Sequence, residues 1–322
     1  MSTTPMKSPL PAFDNRITRT LGVAVPIANA PMGTVANPEL VSAVTAAGAI
    51  GLVPGSIGAT RARAFLERMA ETTNRPFGVN IPVSFADPGM VDILLEHGVR
   101  FVTTSSGPVA PYTARLREAG VTVFHVVTSL ETAQQAADAG VDGLIVEGSE
   151  GGGLRGATEI PLMVLLPLIT SRIDLPVIAA GGIVDGVSMA AAFALGAEGV
   201  QMGTRMLASA EAGVHANLKQ AVVSASEAES IMINRHNQRP LRVLRTATTR
   251  KYEAPSQLDA FRDLIRDVPR LYEEGDMEVG FASVGQVSGR IDQVLPAAEV
   301  IRRTVAEFGE VIGRLSRDHF KG

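Results

Sequence analysis

One phrase recurs through the first two thirds of the chain: a helix-like stretch, a glycine, then a short apolar run. It appears as Ala47-Gly48-Ala49-Ile50-Gly51-Leu52-Val53, His97-Gly98-Val99-Arg100-Phe101-Val102 and Ala119-Gly120-Val121-Thr122-Val123-Phe124. It returns as Ala139-Gly140-Val141-Asp142-Gly143-Leu144-Ile145-Val146 and Leu195-Gly196-Ala197-Glu198-Gly199-Val200. A glycine just past a helix is the usual left-handed cap. The apolar run after it is too short for a helix and is bounded by turn residues, so it reads as a strand buried on both faces. Helix, glycine cap and buried strand in series make a parallel sheet of βα units.

Eight strands are expected, at residues 26–33, 50–55, 77–83, 101–105, 121–127, 143–147, 177–182 and 199–204. Amphipathic Ala- and Leu-rich segments lie between them, for example 38–47 and 129–139. Eight parallel strands closing on themselves give a (β/α)8 TIM barrel, here over residues 14–213; an open doubly wound sheet is the alternative. Two places break the rhythm. Glu147-Gly148-Ser149-Glu150-Gly151-Gly152-Gly153-Leu154-Arg155-Gly156 reads as a flexible loop too Gly-rich for strand or helix. Residues 214–285 turn irregular and more charged, which predicts a mainly helical insertion after strand 8, at the barrel mouth. In the last segment, 286–322, Val294, Ala298, Ile301, Val305, Phe308, Ile312 and Leu315 fall at steps of four and three. That spacing predicts a C-terminal helix, within 291–317, packing back on the barrel.

Two neighbouring strand ends carry the chemistry: Val177-Ile178-Ala179-Ala180-Gly181-Gly182-Ile183 and Gly199-Val200-Gln201-Met202-Gly203-Thr204-Arg205. Consecutive loops of this kind meet at the C-terminal face of a barrel, where bare N–H groups hold a phosphate. The bland alternative is a pair of tight βα turns. Other candidates at strand ends are residues 29–33, Asn80, residues 103–106, His125 to Thr128 (Val126 among them) and the loop from Glu147. Asn80 either caps a turn or binds ligand. Glu147 is costly to bury unpaired, so it is either solvated or binds ligand hydrogens. Three glycines at 151–153 exceed what a turn requires, and close approach to a flat ligand would justify them. This is a set for holding a large polar ligand rather than a hydrolytic triad or a metal cage.

Composition narrows the partners. A net charge of −4 with no basic cluster gives no reason to expect nucleic acid. No apolar run approaches the roughly 20 residues that span a bilayer, and residues 1–13 lack the apolar core of a secretory signal. The absence of cysteine excludes disulfides, thiolate metal sites and a cysteine nucleophile, and a cytoplasmic protein is the plain reading. Of the five histidines, His97 reads as a helix C-terminal cation, His125 as a satisfied core residue and His215 as a fixture of the insertion. His319 lies in the tail, and only His236, between Arg235 and Arg239, is placed near substrate.

Taken together, these segments resemble the FMN-dependent nitronate monooxygenase (formerly 2-nitropropane dioxygenase) family, which includes the FMN enoyl-ACP reductases. The carriers are Pro26-Ile27-Ala28-Asn29-Ala30-Pro31-Met32-Gly33, Arg75-Pro76-Phe77-Gly78-Val79-Asn80 and Val146-Glu147-Gly148-Ser149-Glu150-Gly151-Gly152. To these are added the PVIAAGGIVD run from Pro176 to Asp185, the GVQMGTR run from Gly199 to Arg205, and Ala282-Ser283-Val284-Gly285-Gln286. The resemblance implies FMN as cofactor. It places Ala30, Pro31, Met32, Asn80, Val126 and Glu147 along the flavin, and Gly152, Gly181, Gly182, Gly203 and Thr204 at its ribityl–phosphate end. Leu154, His236 and Gln286 are the residues expected to face substrate.

One departure stands out. Where the family pattern has a catalytic histidine after its Glu-x-Gly-Gly stretch, this chain has Leu154, followed by Arg155 and Gly156. An alkyl side chain neither takes nor gives a proton. A nitronate is already an anion and needs no base there, so oxidation of alkyl nitronates with O2 is the leading reading. His236 or a bound water would supply any proton. The alternative keeps the fold but uses NAD(P)H as electron donor and an enoyl thioester or quinone as substrate. It is motivated by Arg235, Arg239, Arg242 and Arg245, which would meet a CoA or nucleotide phosphate. A third reading is a flavin-free binding protein. A homodimer is left open.

Overall fold

Residues 13–156, 158–236, 239–254 and 258–318 are described by a computed structural model; the expectations for residues 1–12 and His319 lie outside them. Six strands come first: β1 (Ile27–Asn29), β2 (Gly51–Pro54), β3 (Phe77–Pro82), β4 (Phe101–Ser105), β5 (Thr122–Val127) and β6 (Gly143–Glu147). After the two-residue β7 (Gly153–Leu154) come β8 (Val177–Ala180) and β9 (Gly199–Met202). All but β7 pair in parallel, in the order β1-β9-β8-β6-β5-β4-β3-β2. A bridge between Ala28 and Ile50 joins the two ends of that order and closes the circle. The eight strands therefore form the expected barrel rather than an open sheet.

The recurring phrase has a clear physical basis. Gly48, Gly98, Gly120, Gly140 and Gly196 all take φ between 66° and 99°, a region a side chain resists, and each turns a helix end into the next buried strand. The helices Pro38–Ala46 and Leu130–Asp138 carry Asn37 and Ser129 as N-caps, whose side chains accept from Leu40 N and Thr132 N.

Side chains fill the lower half of the barrel. Ile50, Leu52, Phe101, Phe124, Ile145 and Ile178 point inward with Ile17 and Leu21 from the helix Arg16–Leu21. The Phe101 and Phe124 rings meet edge to face at 5.3 Å. Asn15 Nδ2 and the Arg16 guanidinium bind Glu198 just before β9, fixing that helix under the strand starts. The other end of the barrel is left for a ligand.

Residues 214–285 contain the helix Ala216–Val223 and short helical turns at Ala260–Leu264, Ile265–Asp267 and Arg270–Glu274. They also contain an antiparallel ribbon that the sequence pattern does not reveal: β10 (Ser230–Ile233) and β11 (Leu241–Leu244). β11 pairs with β7 through Leu241–Leu154 and Arg242–Gly153, so part of the Gly-rich loop is strand after all. Four-residue strands are too short to show a period. Ile231, Ile233, Leu241 and Val243 pack with Tyr252, Ala260, Leu264 and Phe281 as a satellite core.

The last helix runs Ala297–Asp318, starting after Pro296 rather than near residue 291. Its buried stripe is Ala297, Val300, Ile301, Thr304, Val305 and Val311, one step round from the expected face. Ile312 and Leu315 are exposed, while Thr304, polar by type, is buried. Phe308 stacks against Phe13 and Phe193, so the helix does pack back on the barrel.

Candidate functional site at the barrel mouth

The strand ends open into a cavity of about 610 Å3, a size suited to a cofactor or small substrate. Ala30, Pro31, Met32, Asn80, Val126, Glu147, Gly152, Leu154, Gly181, Gly182, Gly203 and Thr204 all line it. Twelve of the fourteen residues singled out from sequence are thus brought together.

At one side, β8 and β9 run out into their turns. Gly181 and Gly182 take φ of +82° and +76°, which turns the chain sharply before Asp185 caps the helix Gly186–Ala194. The N–H groups of Gly181, Gly182, Gly203 and Thr204 donate to no protein group among the described residues. Four together on a cavity wall are a ready cradle for an anion. The Thr204 hydroxyl is occupied, accepting from Gly285 N at 2.9 Å, which ties the end of the insertion to the β9 turn.

The Gly-rich loop lies between these turns and the segment 283–285. A Cβ on Gly152 would sit 2.8 Å from Val284 N, and one on Gly181 2.8 Å from Gly148 O. The close approach that these glycines allow is therefore to the chain's own backbone, and not only to a ligand. Arg155, with a side chain 7% exposed, donates from Nη2 to Glu147 Oε1 at 2.8 Å and to Gly152 O at 2.9 Å. Its Nη1 reaches Gly148 O at 3.3 Å. One Glu147 oxygen thus accepts a hydrogen bond from Arg155, while the side chain stays 21% exposed on the cavity wall. Glu150 turns away: both its oxygens accept from Leu162 N at 3.0 Å, at the start of the helix Leu162–Thr170.

On the opposite wall, Asn80 Nδ2 donates to Thr103 Oγ1 at 3.0 Å and lies 3.2 Å from Ser105 Oγ. Its amide is therefore oriented by β4 rather than by a turn. His125 alternates with the inward Phe124 and Val126, so its ring faces the helix layer, where Nδ1 lies 2.7 Å from Thr104 Oγ1. Burial pushes its pKa down to about 4. It is the satisfied core histidine expected.

Two expectations are corrected. His236 is exposed and its Nε2 meets Leu258 O at 2.8 Å; it does not line the cavity. Gln286 is likewise exposed, with its N–H donating to Glu150 O at 2.9 Å. It starts the helical turn Gln286–Arg290, which aims its side chain out. Nor do the four arginines gather as a phosphate site. Arg235 pairs with Glu159 and Arg245 with Glu253. Arg239 lies over the Phe261 ring, and the buried Arg242 donates from Nε to Ser149 O.

Four more residues line the cavity: Arg155, Gln201 and Ser283, which the sequence offered only as members of longer runs, and Tyr272, which it did not offer at all. Gln201 carried a signal, as a lone polar residue at an inward position of an apolar strand. Arg155 carried a weaker one, since Glu147 needed a partner. Ser283 belongs to the Ala282–Gln286 segment that carries the family resemblance, whereas Tyr272 stands in aperiodic chain and carried none.

The sequence profile of the family described as nitronate monooxygenase matches residues 14–91 and 81–307. The chain belongs to the nitronate monooxygenase family. Like its relatives, it is an oxidoreductase. FabK from Thermotoga maritima is 38% identical with a TM-score of 0.88, over 94% of this chain and 99% of that one. Nitroalkane oxidase from Streptomyces ansochromogenes is 29% identical with a TM-score of 0.82, over 92% and 99%. A (3aS,4S,5R,7aS)-5-hydroxy-7a-methyl-1-oxo-octahydro-1H-indene-4-carboxyl-CoA dehydrogenase from Mycobacterium tuberculosis is 31% identical, covering 90% of this chain and 95% of its own. In this nitronate monooxygenase family member, no helix among the described residues is long and apolar enough to cross a membrane.

Proposed function

We propose that the chain is an FMN-dependent oxidoreductase that oxidises alkyl nitronates with O2. The reading is carried by the four backbone N–H groups at Gly181, Gly182, Gly203 and Thr204, which have no protein acceptor among the described residues. They fit the phosphate of FMN, which is an anion at neutral pH, and Gly152 narrows the backbone beside them. Ala30, Pro31, Met32, Asn80, Val126 and Glu147 would lie along the remainder of the flavin. FMN, when bound, supplies the redox chemistry; the protein binds it, orients it and shapes the space beside it. In this reading residues 14–213 hold the cofactor end, and residues 214–285 add the substrate-side wall through Val268, Tyr272 and Ser283. Leu154, 37% exposed on that wall, offers substrate an apolar surface without a base. A substrate that arrives as an anion suits it.

The test is spectroscopic. The purified protein is expected to be yellow and to bleach anaerobically with propyl-2-nitronate. An oxidised flavin spectrum left unchanged by nitronate would refute the reading.

A second reading, NAD(P)H-dependent reduction of an enoyl thioester or quinone, is favoured by the likeness to FabK and to the CoA dehydrogenase. The engagement of Arg235, Arg242 and Arg245 with their own partners speaks against a phosphate clamp at the mouth. Anaerobic bleaching by NADH or NADPH, and none by nitronate, would put the second reading first.

A further inference from the structure

Leu154 leaves open which group in the cavity meets the oxygen atoms of substrate. The titratable side chains on its wall are few, and most are spent. Glu147 is held by Arg155 and Glu150 by Leu162 N. Arg155 is engaged with Glu147 and two backbone carbonyls. The His125 ring faces the helix layer and Thr104. Tyr272 differs. It is buried, it lines the cavity beside Ser283, and its hydroxyl oxygen accepts the Ser283 N–H at 2.8 Å. Among the described residues no acceptor takes its own proton. A phenol whose oxygen already accepts an N–H bond still has its own proton to donate.

The surroundings fix its aim. Its carbonyl accepts from His215 N at 2.7 Å, anchoring the turn that carries it to the start of the helix Ala216–Val223. A Cβ on Gly153 would lie 3.5 Å from Ser283 Oγ, so the Tyr272–Ser283 pair stands across from the strand that ends in Leu154. An apolar surface on one side and the Tyr272 hydroxyl beside Ser283 on the other suit a short alkyl chain joined to a planar pair of oxygens.

We propose that the Tyr272 hydroxyl donates a hydrogen bond to an oxygen of the bound substrate anion, making Tyr272 the residue that selects a planar two-oxygen anion with an alkyl tail. The inference rests on the nitronate reading above and assigns the oxygen-binding group within it. Burial pushes the phenol pKa up, against the opposing effect of Ser283, so the donor keeps its proton through the neutral range.

The probe is propionate, a stable planar two-oxygen anion with a short alkyl chain, titrated by calorimetry into the FMN-loaded protein. Tyr272→Phe is expected to keep its flavin and to bind propionate about tenfold more weakly or worse, the usual scale for a hydrogen bond to a charged group. Unchanged affinity would overturn the proposal. Should Tyr272→Phe shed its flavin or misfold, Tyr272→3,5-difluorotyrosine keeps the ring and oxygen but ionises at lower pH. Its propionate affinity should fall as pH rises through that ionisation, while the wild type holds steady. Parallel profiles would overturn the proposal equally. Calorimetry reads heat rather than flavin colour or turnover. A wild type that takes up no FMN therefore sinks the reading above, while the same titration of the flavin-free chain and its variants still decides the role of Tyr272.

Discussion

The Arg155 guanidinium and the Glu147 carboxylate form a salt bridge of 2.8 Å on the cavity wall, with the arginine side chain 7% and the glutamate 21% exposed. Seven residues of Gly-rich chain lie between them in sequence, and the bridge closes that chain into a loop. Arg155 also holds the carbonyls of Gly148 and Gly152, so one buried cation sets both the charge and the shape of this wall.

Removing one member of such a pair strands the other. Arg155→Met keeps much of the volume but leaves Glu147 without its counter-ion, and should cost about 3 kcal/mol, the low end for a buried pair because Glu147 is partly wet. Urea unfolding of the protein reads this directly. Arg155→Met combined with Glu147→Gln should recover much of the loss. Additive losses in that double-mutant cycle would show that the two residues are not coupled.

The two turns of the N–H cradle should respond differently to the same added methyl. At Gly181 the φ is +82° and a Cβ would meet Gly148 O at 2.8 Å, so Gly181→Ala combines backbone strain with overpacking and should destabilise by about 2–4 kcal/mol. At Gly203 the φ is −97° and a Cβ would lie 3.6 Å from Ala30 Cβ and Met32 Sδ, an ordinary contact. Gly203→Ala should leave stability within about 0.5 kcal/mol yet take space from the ligand, weakening FMN about tenfold or more. Thermal unfolding and FMN titration of both variants separate the effects. Equal flavin affinity in Gly203→Ala and wild type would remove the β9 turn from the cofactor site.

The barrel was legible because its grammar is local. Each capping glycine sits next to the strand it introduces, so Gly120 and Gly140 announce β5 and β6 within a few residues. The phosphate-type turns were legible for the same reason. What sequence did not show depends on partners far along the chain. β11 finds β7 across more than eighty residues, and four-residue strands carry no period to reveal the pairing. His236 was placed at the mouth by its neighbours Arg235 and Arg239, but a turn after β10 sends it to solvent, where Leu258 O takes it up. Tyr272 reaches the cavity only because His215 N and Ser283 N hold its two ends. Neither contact leaves a mark on the sequence around it. The last helix was recognised but turned by one step, because Thr304 is buried against the barrel while Ile312 and Leu315 are not.

His125 makes the fold sensitive to acid. Its folded pKa is about 4 against an ordinary 6.5. Above pH 6.5 the ring is neutral whether the chain is folded or not, and stability is complete. Between pH 6.5 and about 4 the unfolded chain takes up a proton that the folded chain refuses, so stability falls as pH falls, by about 3 kcal/mol over the window. His125→Gln should flatten that part of the stability–pH curve. Urea midpoints measured across the window check it, and an unchanged slope in the variant would assign the acid sensitivity to other groups.

Leu154 defines what this family member is able to do with a neutral substrate. The side chain is partly exposed on the cavity wall, and its backbone is pinned by pairing with Leu241, so a replacement at this position inherits a fixed direction. Leu154→His therefore places an imidazole on the cavity wall without disturbing the ribbon. A neutral nitroalkane must lose a carbon-bound proton before it can be oxidised, whereas a nitronate has already lost it. The variant should accordingly raise kcat/KM for nitroethane by tenfold or more, a modest share of what a well-placed general base contributes. Its kcat/KM for ethyl nitronate should change little. Steady-state kinetics on the two substrates at one pH separate these expectations. A parallel rise or fall on both would mean that position 154 governs binding alone, and that proton abstraction is not what the leucine withholds.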